Sequence, residues 1–293
     1  MKFSSDNTLP VMSLLTGALV WGLIWYPYRA LQMLGIFGPL ATMITYLIAM
    51  LCGCFMLRKV WRELPRAGWW ALLLVISAGW ANLGYVLAML HGEVMRILLL
   101  FYLAPLWTIL FSYWLLGERL NRYGLLVIFL ALSGALVMLW EPQLGLPLPK
   151  NFSEWLGLSA GISFALSNVT SRRAEHLSVE SKSFGLWFGT GLLSIPVVFW
   201  QGNVAGQLAL IDAASGCLLL LMGLVLCATS IVVQYGVTHL SANRAVVLFL
   251  FELVVAAVSS FWLANEAMAL REWLGAVMII SASLLSGKMQ KSN

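Results

Sequence analysis

The chain has 293 residues, of which 61% are hydrophobic and only 10% carry a charge. Soluble domains carry about 25% charged residues, so this composition, with a mean hydropathy of +0.90, excludes a water-soluble globular protein. The net charge of +5 comes from basic residues scattered between apolar runs rather than gathered on one face, which argues against a nucleic-acid partner. The lipid bilayer is the expected partner.

Ten stretches between clusters of charged and turn-forming residues are apolar enough to cross a bilayer, which takes about 20 residues in a helix. In chain order the predicted spans are residues 9–28, 36–57, 68–90, 94–116, 123–140, 153–171, 183–200, 213–237, 245–264 and 271–287. The sequence therefore predicts an all-α membrane protein with ten transmembrane helices.

The basic residues predict the orientation of these spans. With the N-terminus in the cytoplasm, only Arg29, Arg96, Lys150 and Arg271, of 17 lysines and arginines, lie outside. An excess of basic residues in the short cytoplasmic loops is the usual rule for such proteins. We therefore expect both termini to be cytoplasmic, in a bacterial inner (plasma) membrane.

The two halves of the chain are related. Residues 90–120 (LHGEVMRILLLFYLAPLWTILFSYWLLGERL) align with residues 238–268 (THLSANRAVVLFLFELVVAAVSSFWLANEAM) at a constant offset of 148 (238 − 90). Identical pairs include His91 with His239, Arg96 with Arg244, Phe101 with Phe249, Trp114 with Trp262 and Glu118 with Glu266. Each half has five spans, so the second must cross the membrane in the opposite sense. We predict two inverted five-helix repeats, residues 1–141 and 142–293, around a central cavity.

The residues of the repeat resemble a known family. A span with a central proline that ends in LLGERL, as in LAPLWTILFSYWLLGERL (103–120), followed by the glycine-bearing span YGLLVIFLALSGALVML, resembles the repeat of EamA-type transporters. That family belongs to the drug/metabolite transporter superfamily. The second copy, FLFELVVAAVSSFWLANEAM with REWLGAVMIISASLL, is similar, and the resemblance covers almost the whole chain.

The resemblance implies export or exchange of small metabolites, amino acids among them, without ATP. It also implies a cavity lined mainly by spans 1, 3, 4, 6, 8 and 9. Members of the family often carry Leu-Glu-Pro in the ninth span, where this chain has Phe251-Glu252-Leu253. A proline kink is therefore expected at Pro105 in the fourth span, whereas the ninth span, which lacks the proline, is expected to be unbroken.

Glu252 is the first candidate for a site residue, because it lies inside the apolar stretch VVLFLFELVVAAVSSFW (246–262). A charged side chain at the bilayer centre costs at least ~2.5–3.5 kcal/mol, and such residues are usually functional. Glu252 would then carry a proton or anchor a substrate ammonium group. The alternative is a structural carboxyl group that joins helices. The small neighbours Ala256 and Ser259 predict a protein-facing side, which fits both interpretations.

Uncharged side chains at membrane depth are further candidates for substrate or proton binding. They are Trp21, Asn82, Tyr85, Trp107, Asn168, Gln234 and Tyr235. Buried amides need hydrogen-bond partners, so the amides either line a wet cavity or tie helices together. Trp21 is the deepest ring on the aromatic face of the first span, where simple packing is the alternative.

The candidates for a hinge or a gate are Pro105, Arg29, Glu93, Arg96 and Arg244. Pro105 frees a backbone carbonyl in mid-span, which makes either a hinge or a static kink. Arg29 could bind a substrate carboxylate or anchor the span at the interface. Glu93 and Arg96 are three residues apart and could pair on one helix face, as an outer gate or as a local ion pair; Arg244 is the inside counterpart of Arg96.

The remaining function classes fit the sequence less well. An intramembrane enzyme needs converging nucleophiles, metal ligands or paired acids, whereas the three histidines are isolated near span ends and the four cysteines lack zinc spacing. We therefore predict no catalytic residues, no metal and no cofactor. An uncoupled facilitator or a channel is the other alternative, but a channel needs a filter, usually built from several subunits.

The predicted function is secondary active transport of a small organic metabolite, an amino acid or a derivative of one, by alternating access. Protons are a candidate coupling ion through Glu252. The chain is expected to be a monomer or a homodimer.

Overall fold

A computed structural model describes residues 8–140, 148–263 and 268–289, and these residues form helices and turns with no strand. The helices are α1 (Thr8–Met33), α2 (Gly38–Cys52), α3 (Leu57–His91), α4 (Val94–Phe101), α5 (Ala104–Phe111), α6 (Arg122–Leu139), α7 (Phe152–Arg173), α8 (Val179–Gln201), α9 (Val204–Ala209), α10 (Ala213–His239), α11 (Ala242–Phe249), α12 (Phe251–Leu263) and α13 (Leu270–Leu285). A π-helical turn at Ser112–Leu116 extends α5.

Nine helical stretches within the described ranges are long and apolar enough to cross a membrane. They coincide with nine of the ten predicted spans, so the helical membrane fold is confirmed. The exception is the sixth predicted span, residues 153–171, which is the 22-residue helix α7. At 1.5 Å per residue α7 is about 33 Å long, but Glu154 and its serines make it less apolar. Because many of its polar residues are buried, α7 packs against protein. Since α7 is not among the nine stretches, the count of ten spans stays a prediction.

Helix packing repeats between the two halves. α7 packs against α3 and α5, and α1 packs in the equivalent way against α10 and α12. In the same manner α8 packs on α3 as α2 packs on α10. The contact of α2 with α8 and that of α6 with α13 each join two equivalent helices, so exchanging the halves leaves these contacts unchanged. Exchanging the halves therefore reproduces the helix contacts. The predicted boundary at residues 141 and 142 lies outside the described residues.

Two membrane helices are interrupted near their middle. The break between α4 and α5 has Pro105 in the first turn of α5. An equivalent break separates α11 from α12, so the expectation of an unbroken ninth span was wrong. A proline is not needed there because the chain tightens into an i→i−3 turn, in which the Leu253 N–H donates to the Leu250 carbonyl over 3.1 Å. At the first break the Leu106 N–H donates to the Leu103 carbonyl over 2.9 Å, in an i→i−3 bond that lies one residue further along the repeat.

Gly161 brings α7 against the backbone of the α4–α5 break. A Cβ atom on Gly161 would lie 2.4 Å from the Phe101 carbonyl oxygen and 3.0 Å from its Cα. Overpacking of this kind costs ~1–3 kcal/mol, so we expect Gly161→Ala to unfold at a lower temperature in detergent than the wild type. In the matched control Gly191→Ala, the added Cβ meets only the Leu47 Cδ2 at 3.8 Å. The control should be unchanged or stabilised, because alanine favours helix; equal unfolding temperatures would contradict this packing.

Candidate functional site

A cavity of about 790 Å³ lies between the two halves. Its size is within the range of small-molecule sites, roughly 300–1,000 Å³. Arg29 and Gln32 near the end of α1 line its mouth and are exposed, and Glu272 of α13 lies at the same end. At the other end the cavity reaches Asn168 of α7 and Gln234 of α10, which are both buried. The cavity is thus deep and opens at one end of the helix bundle.

A row of aromatic rings forms part of the cavity wall at mid-depth. The Phe101 and Phe164 ring centroids are 5.6 Å apart, Phe164 and Phe249 are 5.3 Å apart, and Phe249 and Trp21 are 5.7 Å apart. Phe101 ends α4 and its repeat partner Phe249 ends α11, so the row connects the two helix breaks through α7. We call these four residues the aromatic row; it gives the cavity an apolar surface suited to a flat or bulky group.

Glu252 lines the cavity half-way across the membrane. It is the eleventh of the 22 residues in the stretch Ala242–Leu263. Its carboxyl group lies within hydrogen-bonding reach of the Tyr102 hydroxyl and interacts with the Tyr85 side chain. On the backbone side α1 is closely packed, since a Cβ on Gly22 would lie 2.9 Å from the Glu252 carbonyl oxygen. The carboxyl group therefore lies between the cavity and two tyrosines.

The buried amides line the cavity and also join helices. Asn82 accepts a hydrogen bond from the Tyr46 hydroxyl at 2.7 Å, which ties α3 to α2. Gln234 accepts one from the Ser171 hydroxyl at 2.5 Å, which ties α10 to α7. Asn168 differs from these two, because its side-chain nitrogen has no hydrogen-bond partner among the described residues although the residue is only 6% exposed. Its amide nitrogen is therefore available to a molecule in the cavity.

The end of the bundle opposite the mouth is closed by polar side chains that we call the inner cluster. Its members are Ser112, Glu118, Arg172, Lys182, Thr238 and Asn243. They come from the segment after α5, the end of α7, the start of α8, the end of α10 and the start of α11, so the cluster joins both halves of the chain.

Asn243 is the central member of the inner cluster. Its Nδ2 donates to the Ser112 hydroxyl at 2.8 Å and to Glu118 Oε2 at 3.1 Å, and the Ala242 N–H donates to Glu118 Oε1 at 3.4 Å. Burial raises the pKa of the Glu118 carboxyl group, so these donors offset part of the cost of its charge. Asn243 and Ser112 are almost fully buried, and the segment after α5 is thereby fastened to α11.

Thr238, near the end of α10, is hydrogen-bonded to two other helices of the second half of the chain. The Arg172 guanidinium donates to the Thr238 carbonyl, and the Lys182 ammonium donates to its hydroxyl at 3.0 Å. The Lys182 side chain is fully buried. The inner cluster thus fastens the end of α10 to α7 and α8 as well.

A family model described as the EamA-like transporter family matches residues 8–140 and again residues 151–287. The chain belongs to the EamA-like transporter family. An uncharacterised transporter of Archaeoglobus fulgidus is 29% identical to it over 205 residues, which are 69% of this chain and 70% of that protein. A solved crystal structure with 17% identity shares the fold, with a TM-score of 0.74 over 97% of this chain and 98% of its own.

Most of the predicted site residues of this EamA-like transporter line one cavity: Trp21, Arg29, Asn82, Tyr85, Pro105, Asn168, Gln234 and Glu252. Two others lie elsewhere. Trp107 packs in a cluster with Ala104 and Ala165. Tyr235 stacks on the His239 ring at a centroid distance of 4.1 Å. Neither side chain is among the residues that line the cavity.

Arg96 has an ion-pair partner other than Glu93, with which the sequence predicts a gate pair. Glu93 is the N-cap residue of α4 and has extended backbone angles, and its pairing with Arg96 stays a prediction. Arg96 forms a salt bridge with Glu154 at 2.7 Å, with both side chains 4% exposed. Its counterpart Arg244 is buried in the first turn of α11 beside Gly287. These residues of the EamA-like transporter join helix ends outside the cavity.

Two features of the EamA-like site were missed in the sequence. Tyr102 follows Phe101, which the repeat matches with Phe249, and it precedes Pro105 by three residues; this position at a break was the available signal. The second is the hydrogen bonding of Ser259, which the sequence identified only as a small residue on the protein-facing side: it accepts a hydrogen bond from Trp25 Nε1 at 3.0 Å and donates to the Gly22 carbonyl at 3.1 Å. It fastens α12 to α1 next to the cavity.

Proposed function

We propose that this membrane transporter is a secondary active exporter or exchanger of a small organic metabolite and works by alternating access. The observation that carries the proposal is a cavity that opens at one end, is closed at the other by the inner cluster, and has Glu252 half-way across. Glu252 is the proposed proton carrier. An amino acid or a derivative of one is the substrate class that the family resemblance implies.

The equivalent packing of the two halves supports alternating access. Because exchanging the halves reproduces the helix contacts, a second conformation with the mouth closed and the inner end open should have a similar energy. A channel needs a path that is open at both ends at once, and the inner cluster closes one end here. The closed inner end therefore favours a transporter over an uncoupled pore.

The charges at the two ends support an orientation. The inner end has Arg119, Arg122, Arg172, Arg173 and Lys182, and a high content of basic residues is typical of the cytoplasmic side. We propose that the inner cluster faces the cytoplasm of a bacterial inner membrane and that both termini lie there too. The conformation described is then open to the outside.

The proposed function can be tested with the purified chain in proteoliposomes that enclose a pH-sensitive dye. We expect that addition of a substrate from a panel of amines, amino acids and their derivatives dissipates an imposed pH gradient, with saturation, and that protein-free liposomes show no such effect. Unsaturable passage of many unrelated solutes would indicate a channel and contradict the proposal.

A further inference from the structure

The deep half of the cavity has a single charged group among its described lining residues. Arg29, Glu252 and Glu272 are the charged residues of the lining. Arg29 lies seven residues beyond Gly22, which packs at Glu252, so it is about 10 Å further along α1 toward the mouth. Glu272 is also at the mouth, where it accepts a hydrogen bond from the N–H of Ala269 at 2.7 Å. Glu252 is left as the charge that a deeply bound molecule meets.

The basic side chains on the helices around the deep half have other partners or other positions. Arg172 and Lys182 donate to Thr238, Arg96 pairs with Glu154, Arg173 lies over the Trp70 ring, and Arg244 lies against the end of α13. In the part of the chain that the structure describes, no guanidinium or ammonium group therefore lines the deep cavity. A substrate carboxylate placed there would lose its hydration without gaining an opposite charge.

A substrate cation would find favourable partners at the same place. The Glu252 carboxyl group supplies the opposite charge, and the titratable groups that face it are the hydroxyls of Tyr85 and Tyr102. Both rings also line the cavity, and aromatic faces attract ammonium groups. Asn168 adds an amide nitrogen that has no hydrogen-bond partner among the described residues, and this N–H donor suits a hydroxyl or carbonyl oxygen on the substrate.

We infer that the substrate is bound as an organic cation, with its ammonium group at Glu252 and an aromatic or bulky apolar body against the aromatic row. A free carboxylate on the substrate is selected against. This inference rests on the proposed transport function and narrows its substrate class to amines and to amino acid derivatives whose carboxyl group is absent, reduced or masked.

The test uses four compounds that share a phenyl ring and differ in charge near neutral pH. Phenylalaninol and phenethylamine are cations, phenylalanine is a zwitterion, and phenylpropionate is an anion. Their binding to the purified full-length chain is measured by isothermal titration calorimetry. We expect both cations to bind at least about tenfold more tightly than phenylalanine, with phenylpropionate weakest.

The Glu252→Gln variant should bind the cations about tenfold or more weakly. The control variant Glu180→Gln makes the same change in the exposed Glu180–Lys59 pair and should bind them as the wild type does.

The outcomes separate this inference from the transport proposal. Equal binding of phenylalanine and phenylalaninol, or full affinity for phenylalaninol in a folded Glu252→Gln variant, would overturn the cation inference and leave the transport proposal standing. Binding of none of the four by protein that still dissipates a pH gradient with another solute would overturn it too. If no solute of any charge dissipates the gradient, the transport proposal fails as well.

Discussion

Replacing Glu252 by glutamine should strongly slow pH-gradient-driven transport while the protein still folds and inserts. Glutamine has nearly the same shape and keeps an acceptor for the Tyr102 hydroxyl, but it can neither carry a proton nor pair with a cation. Hydrogen bonds to charged groups contribute ~1.5–3 kcal/mol, so we expect the initial rate of dye-reported proton flux in proteoliposomes to fall by about 10- to 100-fold. The residual rate should no longer depend on pH.

The matched control is Glu180→Gln, which makes the same change on the surface. Glu180 pairs with Lys59 at 2.9 Å, with side chains 36% and 49% exposed, and exposed pairs of this kind contribute ~0–1 kcal/mol. The control variant should transport at the wild-type rate. If the Glu252→Gln variant also transports like the wild type at all pH values, Glu252 has no part in the mechanism.

Replacing Asn243 by alanine should open the inner end of the cavity. The change removes both hydrogen bonds of the Asn243 amide and leaves Glu118 with one donor fewer. A loss of ~1.5–3 kcal/mol from the closed form shifts its population by about 10- to 100-fold. The readout is a Ser167→Cys probe in the deep cavity, in a variant without the four native cysteines. Its labelling by an impermeant thiol reagent from the cytoplasmic face should accelerate by about tenfold or more.

Asn121→Ala is the control for this measurement. Asn121 is at the same end of the bundle and accepts a hydrogen bond from the Gly124 N–H at 2.6 Å, but it is outside the inner cluster. Its loss should weaken the start of α6 without changing the labelling rate. An unchanged rate in Asn243→Ala would show that the inner cluster does not close the cavity, and acceleration from the opposite face would reverse the orientation.

Most of the fold could be predicted because the bilayer imposes it. Spans follow from runs of apolar residues, and the constant offset between the halves anticipated the equivalent helix packing. Helix α7 is the partial exception, since a helix surrounded by protein can carry serines and a buried glutamate and then resembles a soluble helix. The break before α12 could not be predicted, because an i→i−3 bond and contact with Gly22 leave no proline-like mark in the sequence.

The candidate site could be predicted where a residue was chemically unusual for its depth, as Glu252 and the amides are. The inner cluster could not, because Glu118 and Asn243 are 125 residues apart and each is an ordinary polar residue at a span end. Trp107 and Tyr235 were assigned to the cavity because depth was known and rotation about the helix axis was not. A break such as the one before α5 changes that rotation. The residue spacing on one side of the break therefore does not predict which face a residue on the other side occupies.

The break before α12 has an electrostatic consequence for the carboxyl group beside it. A continuous helix would have no free ends at this depth, whereas α12 begins at Phe251 and Glu252 lies in its first turn. The peptide dipoles of a helix place partial positive charge at its N-terminus, which stabilises a nearby anion by ~0.3–1 kcal/mol or more. The interruption therefore supplies Glu252 with backbone solvation in the middle of the hydrocarbon. The first repeat forms the same kind of helix start at Ala104 but has no acidic residue there. Both halves therefore place a helix N-terminus at this depth, and only the second half places a carboxyl group beside it.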